Sequence, residues 1–124
     1  MDLSVYERLG GSYTLARVIP HFYVRLLTDS ALAGRLRGVD VGRLACRQLE
    51  FLGALMGGPP MGRDVDLAGA HRRLGITDGD FDRAVAHLAE SLRAHGATAE
   101  EAEVVVECVG LFRDQIVSAP VDTA

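Results

Sequence analysis

Sulfur is scarce in this chain. The only two cysteines, Cys46 and Cys108, stand far apart and in no Cys-x-x-Cys pair, which excludes a disulfide framework and a cysteine-based zinc site. They read as reduced, small apolar residues. No uninterrupted apolar run approaches the ~20 residues that span a bilayer. The start, Met1-Asp2-Leu3-Ser4, lacks the basic-then-apolar order of a secretory leader. The 13 basic residues fall singly or in pairs such as Arg72-Arg73, the net charge is −4, and the clustered basic run that marks a nucleic-acid binder is missing. A cytoplasmic protein with neither membrane nor nucleic-acid partners is the expectation. The chain also has no His-x-x-x-His pair for zinc, no Ser-His-Asp pattern, and no phosphate loop or nucleotide fingerprint. Its Gly57-Gly58 pair ends a helical pattern and does not open one.

What is present is a helical protein. The 124 residues suit one domain over 1–124, long enough to bury roughly two thirds of its unfolded surface. Hydrophobic residues make up 48% and charged ones 24%, which rules out disorder as the main state. From Ser12 to Asp29, Leu15, Val18, Ile19, Phe22, Tyr23, Leu26 and Leu27 form the stripe of an amphipathic helix. Pro20 removes a backbone donor within it, so a kink or a junction of two helices is expected there. A second helix opens at Asp40 and aligns Leu44, Gln48, Phe51, Leu52 and Leu55 until Gly57-Gly58-Pro59-Pro60 stops it. A short helical stretch carries Leu67, Ala70, His71 and Leu74. Thr77 or Asp78 opens the next helix, with Phe81, Ala84, Val85, Leu88 and Leu92 inward, His95 in the last turn and Gly96 as the stop. Thr98-x-x-Glu101 is a capping box for a final helix burying Ala102, Val105, Val106, Val109, Phe112 and Ile116. Strands are not expected anywhere.

Three polar side chains fall where the periodicity asks for apolar ones, and each unpaired buried polar group costs about 1–3 kcal/mol. Tyr23 shares its face with Ile19 and Leu26, and is either an amphipathic core residue or a donor to something bound. Gln48 lies one turn from Leu44 and from Leu52, at the helix edge or inside. His71 sits between Leu67 and Leu74 behind the small run Ala68-Gly69-Ala70, as a structural histidine or as a ligand. An imidazole, a phenol and an amide turned into one apolar interior suit a flat iron cofactor held on one side by the imidazole, with donors on the other. His21, beside the Pro20 break, and His87, expected half exposed, are weaker candidates. Glu100, Glu101 and Glu103 form a solvated acidic helix start that suits the dipole.

Tyr6-Glu7-Arg8-Leu9-Gly10-Gly11, Phe22-Tyr23-Val24-Arg25, Gly57-Gly58-Pro59 and His71 followed by Leu74-Gly75-Ile76-Thr77 and Phe81 together resemble the truncated haemoglobins, group I best of all. The similarity runs from Val5 to about Val117. The resemblance implies an all-α, two-over-two helical sandwich that binds haem b. It also implies His71 as the proximal iron ligand, Tyr23 as the distal hydrogen-bond donor and Gln48 as the second donor. Leu44 matches a distal helix position, and Phe22, Leu52, Ile76, Phe81, Val85 and Val109 match positions that line the haem cavity or its access tunnel. Arg37 stands where the family places a phenylalanine against the haem, and could stack on the porphyrin or pair with a propionate.

The chemistry so implied is binding of oxygen and its reaction with nitric oxide to give nitrate, with electrons from an unknown reductase. The alternatives are a peroxidase-like or biosynthetic haem oxidant, suggested by Arg37 beside the haem, and a haem-free globin-fold interaction module in which His71 is structural.

Overall fold

The computed structural model describes residues 4–36, 38, 51–58 and 74–117, and every segment of regular structure among them is helical. Helix α1 spans Val5–Leu9 and α2 spans Gly11–Thr28; a 3₁₀ turn follows at Ala33–Leu36. Residues 51–55 are helical. Helix α3 covers Asp78–Ala94, α4 Ala99–Gly110 and α5 Arg113–Ile116. Helix α3 is central, packing on α2 and on α4. No helix of the described residues is long and apolar enough to cross a membrane.

Local chemistry sets the helix boundaries. The Ser4, Thr77 and Thr98 side chains each accept the backbone N–H of the residue three positions on, and Glu7, Asp80 and Glu101 each reach back to the cap's own N–H. These reciprocal boxes satisfy donors that a helix start otherwise leaves unpaired. Helix α3 ends on His95, and the chain reverses at Gly96, φ 108°. The Ala97 N–H bonds to the Leu92 carbonyl at 3.0 Å and the Gly96 N–H to that of Arg93 at 3.2 Å, the Schellman closure that favours glycine at the left-handed position.

Helix α2 buries Leu15, Val18, Ile19, Phe22, Tyr23 and Leu26. Leu27, expected on that stripe, is 46% exposed; at 100° per residue it turns past the edge of the buried face. The helix also runs through Pro20 as one element, so of the kink or junction expected there the junction of two helices does not form. An interior proline costs roughly 3 kcal/mol. Pro20 and Ala16, whose carbonyl loses its partner, are both exposed, so water can satisfy that carbonyl. Buried residues on both sides of Pro20 hold the two halves against one core.

The final helix is shorter than the periodicity suggests. Helix α4 stops at Gly110, Leu111 is exposed, and the chain resumes as α5 at Arg113. Glycine at that point weakens the helix. The break sets the Phe112 ring edge-on to Phe51 at 5.3 Å between centroids. Val106, Phe112 and Ile116, expected on the buried face, are only partly buried, as is Cys108.

Candidate functional site

Tyr23, five residues before the last residue of α2, is 3% exposed, and its hydroxyl is buried with no hydrogen-bond partner among the described residues. Burial pushes the phenol well above its usual range, because the phenolate would be stranded in a low-dielectric interior. The group therefore stays protonated and able to donate. The neighbouring Phe22 ring stands 5.5 Å away, tilted by 52°.

Three other elements supply apolar walls. Leu52 from the 51–55 helix, Phe81 from α3 and Val109 from α4 are buried in the same cluster as Phe22 and Tyr23, and Ile76 and Val85 pack against it partly buried. Phe81 is fixed from behind. The Arg113 guanidinium lies over its ring, 4.4 Å from the centroid. Arg113 also donates to Asp78 Oδ1 at 3.0 Å and pairs with Asp82, which holds the guanidinium in a stacking pose of the cation–π kind. All the expected pocket residues that are described thus belong to one interior. Arg37, Leu44, Gln48 and His71, with Cys46 and the short helix around His71, lie outside the described residues.

The sequence profile of the Bacterial-like globin family matches residues 4–118. This chain is a bacterial-like globin. The globin is 34% identical over 113 residues to the Group 1 truncated hemoglobin GlbN of Mycolicibacterium paratuberculosis, covering 91% of this chain and 83% of that protein. It is 29% identical over 107 residues to a Group 1 truncated hemoglobin of Tetrahymena pyriformis, covering 84% and 88% of the two chains. Among solved structures, the 2/2 hemoglobin of Synechococcus sp. PCC 7002, in the cyanomet state with covalently attached heme, superposes with a TM-score of 0.83 at 25% identity, covering 93% and 98%. The all-α two-over-two fold and the group I assignment both stand, and the globin is a haem b protein.

The residues present fit that cofactor. An apolar cluster suits the faces of a porphyrin, and among the described cavity candidates the stranded polar atom is a phenol donor that lacks an acceptor there. A small ligand with an acceptor atom would supply it.

The sequence did not single out a cluster at the far end of α2. There Asp29 accepts from His87 and Arg83, and Arg25 reaches His87. The available signal was the pair of four-residue spacings, Arg25 to Asp29 and Arg83 to His87, which places each pair on one helix face. Which two faces meet is a tertiary fact.

Proposed function

We propose that this globin binds dioxygen reversibly and uses it to convert nitric oxide to nitrate, acting as one domain over residues 1–124. Haem b, when bound, supplies an iron that takes the gas ligand and passes the single electron in the overall change NO + O₂ + e⁻ → NO₃⁻. His71 holds the group through a ring nitrogen on the proximal side. The Tyr23 hydroxyl and the Gln48 amide donate hydrogen bonds to the ligand's outer atom, and such donors stabilise negative charge that develops there. Phe22, Leu52, Ile76, Phe81, Val85 and Val109 exclude water, so each of those bonds is made at low dielectric and counts for more than in solution. On this reading Leu44 would extend the wall, and Arg37 would stack on the macrocycle or pair with a propionate.

The observation that carries this reading is the Tyr23 hydroxyl, buried, protonated and without an acceptor among the described residues. The test is a single-turnover reaction of oxygen-loaded holoprotein with nitric oxide. Stoichiometric nitrate, formed more slowly by Tyr23→Phe, supports the reading. Nitric oxide left unconsumed, or turnover only with peroxide, overturns it in favour of a haem oxidant.

A further inference from the structure

The groove between α2 and α3 carries a charge pattern that haem binding does not call for. Helix α2 contains no carboxylate in its 18 residues, in a chain whose net charge is −4. Its Arg17, His21 and Arg25 recur every four positions and so share one face. That face meets Arg83, His87 and His95 at α3. The His21 and His95 rings stand edge to face, 5.2 Å between centroids, and Arg25 Nε donates to His87 Nδ1 at 3.2 Å. A guanidinium can only donate, so His87 carries its proton on Nε2, which donates to Asp29 Oδ2 at 2.8 Å.

Asp29 is the groove's own counter-ion. Its carboxylate is consumed by His87, by two Arg83 nitrogens at 3.1 and 3.2 Å and by the Ala31 N–H at 2.9 Å. The α3 carboxylates are engaged elsewhere: Asp78 and Asp82 with Arg113, Asp80 with Arg35, and Glu90 with Arg93. Among the described residues the groove therefore carries more basic than acidic side chains, on a protein whose net charge is negative. At its end lies an open cleft of about 420 Å³ lined by Arg25, Thr28, Asp29, Ser30, Arg83 and His87. Tyr13 and Val24, four positions before and seven after Arg17 and so on its side of α2, are exposed, as is Leu27 further round the helix.

We infer that this groove is a docking surface for an acidic segment of a partner protein, with a partner carboxylate entering the cleft between Arg25 and Arg83. The composition decides for a protein. Arginine and tyrosine beside exposed aliphatic side chains match what protein interfaces enrich, and the acidic residues such interfaces deplete are missing from α2. Charge complementarity sets the sign of the partner.

The probe is a fluorescently labelled oligoglutamate peptide, titrated with holoprotein and read by anisotropy. Net charge alone repels it, so binding reports the local groove. The expected result is saturable binding that weakens several-fold as salt rises through the physiological range. Arg17→Gln with Arg83→Gln should weaken it by about tenfold or more, roughly 1.4 kcal/mol. A control with the same change in net charge, Leu111→Glu with Gln115→Glu on the exposed end of α4 and α5, should bind like the parent. Should the double variant fold poorly, Arg17→Gln alone, at an exposed position, is expected to lose about threefold. Equal loss in the control, no loss in the arginine variants, or equally tight binding of a labelled oligothymidylate overturns the proposal. So does concentration-dependent self-association that the arginine variants abolish, which would seat a second copy's Glu100, Glu103 and Glu107 in the groove.

Discussion

Arg8 and Glu101, 93 positions apart in sequence, form a bidentate pair in which Arg8 Nε donates to Glu101 Oε2 and Nη2 to Oε1, so the short first helix is tied to the start of α4. The Arg8 guanidinium, followed by the Thr98 N–H, holds the Glu101 carboxyl down at about 2. An unfolded glutamate titrates near 4.3, so the contact stabilises the fold fully above that value and loses its effect as pH falls from there towards about 2. Denaturant midpoints of the parent and Glu101→Gln should differ by a constant amount above about pH 5 and converge by about pH 2. A gap that widens on acidification would contradict the assignment.

Tyr23→Phe separates ligand binding from folding. The hydroxyl has no partner among the described residues, so its removal should leave thermal stability equal or slightly raised. If it donates to bound oxygen, the same change should speed oxygen release by about tenfold, corresponding to roughly 1.4 kcal/mol. Stopped-flow displacement of oxygen and a melting curve on one sample read both effects. An unchanged release rate would leave the phenol without a role at the ligand.

Ser91 offers the converse case. It is fully buried in α3, and its hydroxyl also has no partner among the described residues. Alanine removes the stranded group and is the better helix former, so Ser91→Ala should stabilise by about 1 kcal/mol. A chemical denaturation series decides it, and a loss of stability would mean that the hydroxyl is satisfied in solution.

Gly58→Ala should be harmful. A β-carbon there would fall 2.8 Å from the Gly53 carbonyl oxygen and 2.8 Å from the Tyr6 ring. The ring can shift, but the backbone carbonyl cannot do so without disturbing the 51–55 helix. A cost of about 1–3 kcal/mol is expected, measured as a lowered denaturant midpoint. The Tyr6→Ala background should recover only part of it.

Features encoded within a few residues were legible in the sequence. The Thr98 and Glu101 box, the Gly96 stop and, Leu27 apart, the inward face of α2 rest on spacings of three and four, and they stand as read. Phe22, Tyr23, Leu52, Phe81 and Val109 were likewise found from periodicity and resemblance, and they share one interior. The misses depend on packing between distant segments. Pro20 stays helical because the core grips α2 on both sides, and α4 breaks where Phe112 turns to meet Phe51. Asp29 and His87 come together across 58 positions, a pairing that no local pattern announces.

The Gly57-Gly58 turn nests against the very beginning of the described chain. A β-carbon on Gly57 would fall 2.6 Å from the Ser4 side chain, and the Tyr6 N–H bonds to the Met56 carbonyl at 2.9 Å. Shortening the polypeptide to begin at Glu7 would thus unlatch more than the deleted stub. It would strip the cap from α1 and leave the exit of the 51–55 helix without its seat, so deletion there should loosen the packing that holds Leu52 in the core.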